Sequence, residues 1–210
     1  MPQQSIKLIF IGTFAILLFA GIWFMFFREK REIVDHPVTG ENIIFFGDSL
    51  VEGVGATPGS DMTSILSRKI GGQIINAGQS GDTTQTALVR LDKDALLKNP
   101  RIVIVLLGGN DALSKIPASE TFTNLRAIID NIHEQGAAVL LLGIRGGLLN
   151  DVYKKQFKRL SKEKKVSYIP DIFDGVFNHP DLMSDYIHPN DRGYANMAER
   201  VEPVLRKMLE

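Results

Sequence analysis

The stretch N-I-I-F-F-G-D-S-L, residues 42–50, joins a short apolar run to a turn that begins directly after it. The run over residues 43–46 has no polar side chain, which is typical of a strand that is covered on both faces of a parallel sheet. Gly47 then lets the backbone bend. Four more short runs, rich in leucine or β-branched residues, follow along the chain at 73–77, 101–107, 137–144 and 166–170.

Amphipathic stretches with helical spacing lie between these runs or after the last of them. They cover residues 63–70, 83–97, 119–135, 152–164 and 192–209. Apolar strands that alternate with helices predict an α/β fold whose sheet is parallel. We therefore expect a flavodoxin-like three-layer α/β/α sandwich with a five-stranded parallel sheet.

The composition excludes several classes of protein. The chain has 210 residues, of which 24 are Lys or Arg, 24 are Asp or Glu and none is Cys. This length suits one domain of ordinary size with a short appendage, and a net charge of zero argues against a nucleic-acid partner. The absence of Cys excludes disulfides, thiolate metal ligands and a Cys nucleophile. Because the His, Asp and Glu residues have no convincing metal spacing either, we expect no metal and no cofactor.

Residues 8–27 form a run of 20 residues without a charge. As a helix this run would be about 30 Å long, which matches the hydrocarbon thickness of a bilayer. The apolar part of a secretory signal peptide is shorter, about 7–15 residues, and no convincing A-x-A cleavage site follows here. The sequence therefore predicts an uncleaved, single-pass N-terminal transmembrane helix. We divide the chain into an anchor with a basic collar (1–31), a polar linker (32–41) and one folded domain (42–210).

The charges beside this run bear on its orientation. Lys7 and the α-amino group flank one end, whereas Arg28, Lys30 and Arg31 flank the other. Two cations against three lean slightly towards a cytoplasmic main domain, but so small a margin does not orient a helix.

In doubly wound sheets the functional residues lie beyond the carboxyl ends of the strands. Small, polar and ionisable residues cluster after four of the five apolar runs. The clusters are G-D-S-L at 47–50, N-A-G-Q-S-G-D-T at 76–83, G-G-N-D at 108–111 and D-Y-I-H-P-N at 185–190. Because the carboxyl ends of parallel strands meet at one edge of the sheet, we expect these four clusters to converge there.

The clusters contain the groups that nucleophilic acyl transfer requires: a hydroxyl, a base, a group that orients the base, and donors for the oxyanion. Ser49 lies in a strand-to-helix turn, where unpaired N–H groups are available. Asp185 lies three residues before His188, so that its carboxylate can hold Nδ1–H of the imidazole and leave Nε2 free as the base. Asn110 offers an amide NH2, and Gly81 offers a backbone N–H with no side chain beside it.

The blocks F-F-G-D-S-L, N-A-G-Q-S-G-D-T-T, G-G-N-D and D-Y-I-H-P-N resemble those of the SGNH/GDSL hydrolases. Within that family the chain is most similar to the bacterial thioesterase I/lysophospholipase L1/arylesterase group, over about residues 42–208. The resemblance implies that Ser49 is the nucleophile and that Asp185 and His188 complete a catalytic triad. It also implies an oxyanion hole made of the Ser49 N–H, the Gly81 N–H and the Asn110 side chain.

Two neighbours of these residues, Asp48 and Gly109, are expected to support the site, with Asp48 positioning the serine loop and having no chemical role of its own. The loop at 145–149 (R-G-G-L-L) departs from the group because it is short and glycine-rich, which leaves the acyl-chain preference open. Members of this group are usually exported with a cleaved signal peptide, whereas here the apolar segment looks retained. The export of its relatives therefore implies an extracytoplasmic (periplasmic) domain, which the retained segment would anchor in the cell membrane.

Each short motif also has a plain structural interpretation, since Gly-Asp-Ser is common and His188 could cap a helix. Four blocks in the right order, each filling a complementary role, favour catalysis. We expect a serine esterase that acts on acyl esters, such as lysophospholipids, short-chain fatty-acid esters and aryl esters, or on thioesters. A carbohydrate O-acetylesterase with the same site is the alternative. A non-catalytic, membrane-tethered binding domain is disfavoured, because it would not need Ser49, Asp185 and His188 together.

Overall fold

The computed structural model of the chain describes residues 38–144 and 151–210. The expected transmembrane helix at 8–27 lies outside the described residues, as do the first part of the linker and the glycine-rich loop at 145–149. Within the two described ranges, every helix is too short or too polar to cross a bilayer.

Five parallel strands form one sheet in the order β2-β1-β3-β4-β5, which is the order of flavodoxin-like folds. The strands are β1 (Asn42–Gly47), β2 (Ile74–Gly78), β3 (Pro100–Leu106), β4 (Ala138–Leu142) and β5 (Ser167–Ile169). Each strand lies within or overlaps the apolar run that predicted it. The five-stranded parallel sheet is therefore confirmed.

The last strand, β5, is shorter than the run at 166–170 that predicted it. The N–H of Val166 donates to the carbonyl of Ser161, at the end of the preceding helix, instead of to a strand. Pro170 has no N–H to donate to a neighbouring strand. The ladder therefore closes after three residues.

Helices connect the strands and pack on the sheet. In the described ranges they are α1 (Ser49–Glu52), α2 (Met62–Ile70), α3 (Thr84–Asp94), α4 (Gly109–Leu113), α5 (Ala118–Glu134), α6 (Asp151–Glu163) and α7 (Asp191–Leu209), with 3₁₀ turns at Leu96–Lys98 and Pro180–Leu182. The helix predicted over 83–97 is broken, because Ala95 leaves the helical region at φ −131° and a 3₁₀ turn follows. The turn after β1 indicated a helix start at Ser49, but four or five residues are too few to show a helical period, so the sequence predicted neither the bounds of α1 nor the helix α4.

The sheet is covered by helices on both faces, so the fold has three layers. Ile43 and Phe45 of β1 belong to the core that α2 and α7 share, whereas Ile44 and Phe46 belong to the core on the opposite face with α3, α5 and α6. All four side chains are buried. Burial on both faces explains why β1 lacks polar alternation, and it leaves the strand ends as the place for polar chemistry.

Candidate active site

Ser49 is the first residue of α1 and lies two residues beyond the end of β1, with Asp48 between them. Asp48 caps this helix, because its carboxylate accepts a hydrogen bond from the N–H of Leu50 at 3.1 Å. A Cβ on Gly47 would lie 2.3 Å from the carbonyl oxygen of Leu106, so that only glycine lets β1 and β3 run this close before the turn. The turn therefore presents Ser49 at the edge where the strands end.

The loop before α7 brings His188 to Ser49 across a separation of 139 residues. Nε2 of His188 lies 3.0 Å from Oγ of Ser49, and Nδ1 of His188 lies 2.8 Å from Oδ2 of Asp185. Both distances are within hydrogen-bond range. The structure thus joins the serine, the histidine and the aspartate that the sequence singled out in one continuous chain of hydrogen bonds.

Hydrogen bonds from main-chain and side-chain groups fix the conformation of the loop that contains His188. The N–H of Ser184 donates to the carbonyl of His188 at 2.8 Å, which closes the loop on itself. The side-chain oxygen of Asn190 caps α7, and its amide donates to the carbonyls of Asp181 and Met183. The residue that starts the last helix therefore also fixes the base of the histidine loop.

Hydrogen bonds lower the pKa of Asp185 to about 2. The main cause is the hydrogen bond from the His188 side chain, followed by those from the backbone N–H groups of His188 and Ile187, which both donate to Oδ1 at 2.7 Å. An ionised carboxylate needs a proton on Nδ1, and from this partner we assign the neutral tautomer of His188 with its lone pair on Nε2. That lone pair faces Ser49, as a general base requires.

Ser49, Gly81 and Asn110 line the same cleft as His188. Gly81 has a φ of +84°, in the left-handed region that favours glycine, and a Cβ added to it would meet no atom within 4 Å. Backbone conformation rather than crowding therefore selects glycine at this position. The Asn110 amide donates to the carbonyl of Asp82 at 2.9 Å, which orients the side chain and leaves its second N–H for a ligand.

The Gly-Gly pair before Asn110 starts α4. Of the two residues, it is Gly108 whose backbone conformation favours glycine, since its φ is +107°. A Cβ on Gly109 would meet only ordinary contacts, at 3.5 Å from Ile144 and 3.8 Å from Oδ2 of Asp48. Gly109 is thus the point at which α4 approaches the Asp48 carboxylate.

Asp48 is 2% exposed, and this burial raises its pKa to about 7. The hydrogen bond from the N–H of Leu50 lowers the pKa, but by less than burial raises it. Because the folded-state pKa lies above the ordinary value of 3.8, the folded protein keeps a proton that the unfolded chain releases as the pH rises from about 4 to 7. The contribution of Asp48 to the stability of the fold should therefore fall over this range, and its loss should be complete above pH 7.

We expect Asp48→Asn, which keeps a capping oxygen, to remove this loss of stability. A buried carboxyl whose pKa lies this far above normal costs roughly a few kcal/mol when ionised, and each kcal/mol shifts the Tm of a chain of this size by about 2–4 °C. Thermal unfolding followed by circular dichroism at pH 5 and pH 8 should show the wild-type Tm falling by several degrees more than the variant's.

Asp61→Asn is the control, because Asp61 caps α2 in the same way but is only partly buried. This variant should keep the wild-type dependence of Tm on pH. Identical dependences in wild type and Asp48→Asn would show that Asp48 does not titrate in this range.

Three charged residues near the cleft were not assigned a role from the sequence. Asp111 is fully buried and accepts hydrogen bonds from the N–H and the hydroxyl of Thr84 at 2.8 and 2.5 Å, which ties α4 to α3. Asp82 is also buried and pairs with Arg90. Asp82 and Asp111 belong to the blocks that carry the predicted oxyanion donors, which is the signal that could have found them. No motif marks Arg90.

The wall of the cleft is partly apolar, since it includes Val54, Leu113 and Ile187 beside the polar Ser80. Within the described ranges, no group of three His, Cys, Asp or Glu residues is placed to hold a metal ion. A hydroxyl bonded to an oriented imidazole, next to free N–H donors and an apolar wall, can carry out acyl transfer.

The proteins to which this chain is similar are also acyl hydrolases. Residues 45–195 match the GDSL-like lipase/acylhydrolase family. The chain is 34% identical over 178 residues to the thioesterase 1/protease 1/lysophospholipase L1 of Escherichia coli, a match that covers 80% of this chain and 85% of that protein. It is 30% identical over 180 residues to the arylesterase of Vibrio mimicus, with 80% and 90% covered.

The fold is also similar to that of an esterase of known structure. The psychrotrophic esterase EstA from Pseudoalteromonas sp., in a structure inhibited by monoethylphosphonate, has a TM-score of 0.73 at 25% identity. The match covers 80% of this chain and 98% of the EstA chain. The resemblance seen in the sequence is thus confirmed: the chain belongs to the GDSL-like lipase/acylhydrolase family and is an ester hydrolase.

Proposed function

We propose that the protein hydrolyses carboxylic esters or thioesters in two steps, with Ser49 as the nucleophile and an acyl-enzyme between the steps. The observation that carries this proposal is the hydrogen-bonded chain from Asp185 through His188 to Ser49, with distances of 2.8 and 3.0 Å. A serine hydroxyl is a weak nucleophile until a base within hydrogen-bond reach takes its proton. Here the carboxylate already orients that base towards the hydroxyl.

In the first step, Oγ of Ser49 attacks the acyl carbonyl carbon while Nε2 of His188 takes the hydroxyl proton. The carbonyl oxygen gains negative charge, and the N–H groups of Ser49 and Gly81 and the amide of Asn110 donate hydrogen bonds to it. The tetrahedral intermediate collapses when His188 passes its proton to the leaving alcohol or thiol. The acyl group then remains as an ester on Ser49.

In the second step, water takes the place of the leaving group. His188 accepts a proton from the water as its oxygen adds to the acyl carbonyl carbon, and the same donors hold the oxyanion. Collapse of this intermediate returns the proton to Ser49 and releases the acid. Asp185 stays ionised and stabilises the imidazolium, because its low pKa keeps it from taking the proton.

We further propose that the substrates are acyl compounds: lysophospholipids, short-chain fatty-acid esters, aryl esters and acyl thioesters. Two relatives support this class, because one is named a thioesterase and lysophospholipase and the other an arylesterase. The side chains of Val54, Leu113 and Ile187 in the cleft support it as well. An acyl chain lying along them would remove apolar surface from water, which is favourable.

A panel of p-nitrophenyl esters tests this substrate class. With the full-length protein in detergent, kcat/KM should rise from acetate to butyrate by up to about fourfold per methylene, since burying one CH2 is worth at most about 0.8 kcal/mol. Leu113→Ala should flatten this dependence. Leu97→Ala should not, because Leu97 is an exposed leucine that does not line the cleft.

The same panel includes lysophosphatidylcholine, an acyl thioester and acetylated xylan. The first two should be hydrolysed and acetylated xylan should not. Activity confined to acetylated xylan would overturn the acyl proposal and establish the carbohydrate O-acetylesterase instead.

We also propose that residues 8–27 anchor the enzyme in the cell membrane as a single helix, with the domain at 42–210 on the extracytoplasmic side. The length of the run and its lack of charge support the anchor. The family resemblance supports the orientation. An anchored enzyme would meet lipid-derived esters at the surface where they occur.

Protease protection tests the anchor and its orientation in a Gram-negative host that expresses the full chain. The chain should stay with the membranes after a carbonate wash, and external protease should degrade its domain in spheroplasts. Recovery in the soluble fraction would contradict the anchor. Protection until the membrane is lysed would place the domain in the cytoplasm.

A further inference from the structure

Arg90 lies on α3 and does not line the cleft, but three of its nitrogens donate to residues at the strand ends and on its own helix. Nε donates to Oδ2 of Asp82 at 2.5 Å, and Nη1 donates to Asp94 at 3.1 Å. Nη2 donates to the carbonyls of Gly47 at 2.9 Å and Ala77 at 3.1 Å. Since the Arg90 side chain is 12% exposed and the Asp82 side chain 3%, this is a buried ion pair.

The residues that bind this guanidinium lie next to the three oxyanion donors in the chain or are hydrogen-bonded to them. Gly47 ends β1, and Ser49 follows it by two positions. Asp82 directly follows Gly81 in the chain. The main-chain carbonyl of Asp82 accepts the amide of Asn110 at 2.9 Å. The Arg90 side chain thus connects the serine turn (47–49) to the glycine loop (79–82) and, through Asp82, to Asn110.

We propose that Arg90 is a positioning residue that fixes the spacing of the oxyanion donors, acting through Asp82 and the carbonyl of Gly47 without touching substrate. This inference rests on the proposed function, because Ser49, Gly81 and Asn110 act as oxyanion donors here only if the site carries out the proposed acyl transfer. Such donors must lie about 2.7–3.1 Å from the oxyanion, and a displacement of about 1 Å can reduce the rate 100-fold.

The geometry of the guanidinium matters as well as its charge. A planar guanidinium presents its N–H groups in fixed directions, whereas a lysine ammonium is a compact point charge. Lysine could neutralise Asp82 but could not also hold the carbonyls of Gly47 and Ala77. The glycine loop has a second support, since Glu52 accepts the N–H of Ser80 at 2.6 Å. We therefore expect loss of Arg90 to displace the donors rather than to unfold the loop.

Arg90→Lys in the full-length protein in detergent tests this role. With p-nitrophenyl butyrate, kcat should fall about 10- to 100-fold, while KM should stay within about threefold, because the oxyanion forms during the reaction and is absent from the bound ester. Rates are divided by the concentration of active sites, titrated to completion with a p-nitrophenyl phosphonate. The rate constant of phosphonylation should fall in parallel with kcat, because the phosphoryl oxygen uses the same donors.

Arg126→Lys is the matched control. Arg126 also pairs with one carboxylate, that of Glu163 at 2.8 and 3.2 Å, but this pair is more exposed and links α5 to α6 outside the residues that line the cleft. Its kcat and KM should stay within twofold of wild type. Asp82→Asn is the second test variant, and its loss of kcat should not simply add to that of Arg90→Lys in the double variant, since both changes disturb the one set of hydrogen bonds around the guanidinium.

The outcomes separate this inference from the proposed function. Unchanged kcat in Arg90→Lys, or a loss confined to KM or to the number of active sites, would overturn the positioning role while leaving the esterase intact. If Arg90→Lys does not fold by circular dichroism, Asp82→Asn decides, and failure of both to fold would make the pair purely structural and overturn the role. A wild-type protein that hydrolyses no ester, or a Ser49→Ala variant that is fully active, would instead overturn the proposed function and the inference with it.

Discussion

Ser49→Ala should lower kcat for p-nitrophenyl butyrate by roughly 10⁴- to 10⁶-fold, as much as the loss of the whole catalytic triad. The variant loses the only atom that can form the acyl-enzyme, while the imidazole of His188 and the oxyanion donors remain. KM should change little, because one hydroxyl contributes little to binding of the ester. Steady-state kinetics of the full-length protein in detergent, with folding checked by circular dichroism, measures this effect.

Ser80→Ala is the matched control for this prediction, because Ser80 also lines the cleft. Its hydroxyl donates to Glu52, but its backbone N–H makes a second hydrogen bond to the same carboxylate and survives the substitution. We expect kcat to fall by less than about tenfold, since the acyl group forms no covalent bond to Oγ of Ser80 during the reaction. Equal rates of hydrolysis in Ser49→Ala and wild type would contradict the assignment of Ser49 as the nucleophile.

Asn110→Ala should lower kcat about 100- to 1000-fold, which is the usual cost of removing one oxyanion donor. The side chain is already oriented by its hydrogen bond to the carbonyl of Asp82. Its second N–H can therefore donate to the oxyanion, which forms only during the reaction. The loss should therefore appear in kcat and leave KM nearly unchanged. Initial rates over a range of ester concentrations separate the two parameters.

Asn124→Ala controls for the removal of an amide from a neighbouring helix. Asn124 lies on α5 and donates to the hydroxyl of Thr84 at 3.2 Å, outside the cleft. Its kcat should stay within a few-fold of wild type. If Asn110→Ala raised KM and kept kcat, Asn110 would bind the ground state of the substrate, and the oxyanion assignment would be wrong.

The strands and the four blocks at their ends could be predicted because both are local features. A strand buried on both faces leaves a continuous apolar run, such as the one at 101–107, that is visible without knowledge of its neighbours in the sheet. The loop that follows a strand is also the next part of the chain. Ser49, Gly81, Asn110 and His188 could therefore be assigned to one edge of the sheet before any contact was known.

The short helices and the exact ends of elements could not be predicted in this way. A helix of four residues has no period, and α1 depends on its Asp48 cap and on the close approach of β1 to β3 at Gly47. The break at Ala95 is a single change of backbone conformation, and β5 starts late because Val166 takes the carbonyl of Ser161 as its hydrogen-bond partner. Periodicity contains no information about such partners.

Local sequence accounts for the parallel sheet, for the order of its functional blocks and for the residue types that could serve as nucleophile, base and oxyanion donors. Tertiary packing accounts for the 3.0 Å between Nε2 of His188 and Oγ of Ser49 and for the reach of Arg90 from Gly47 to Asp82. The apolar pattern of a segment records which of its faces is buried. Contacts between residues up to 139 positions apart depend instead on how α3 and the loop before α7 lie against the sheet, which the folded chain alone defines.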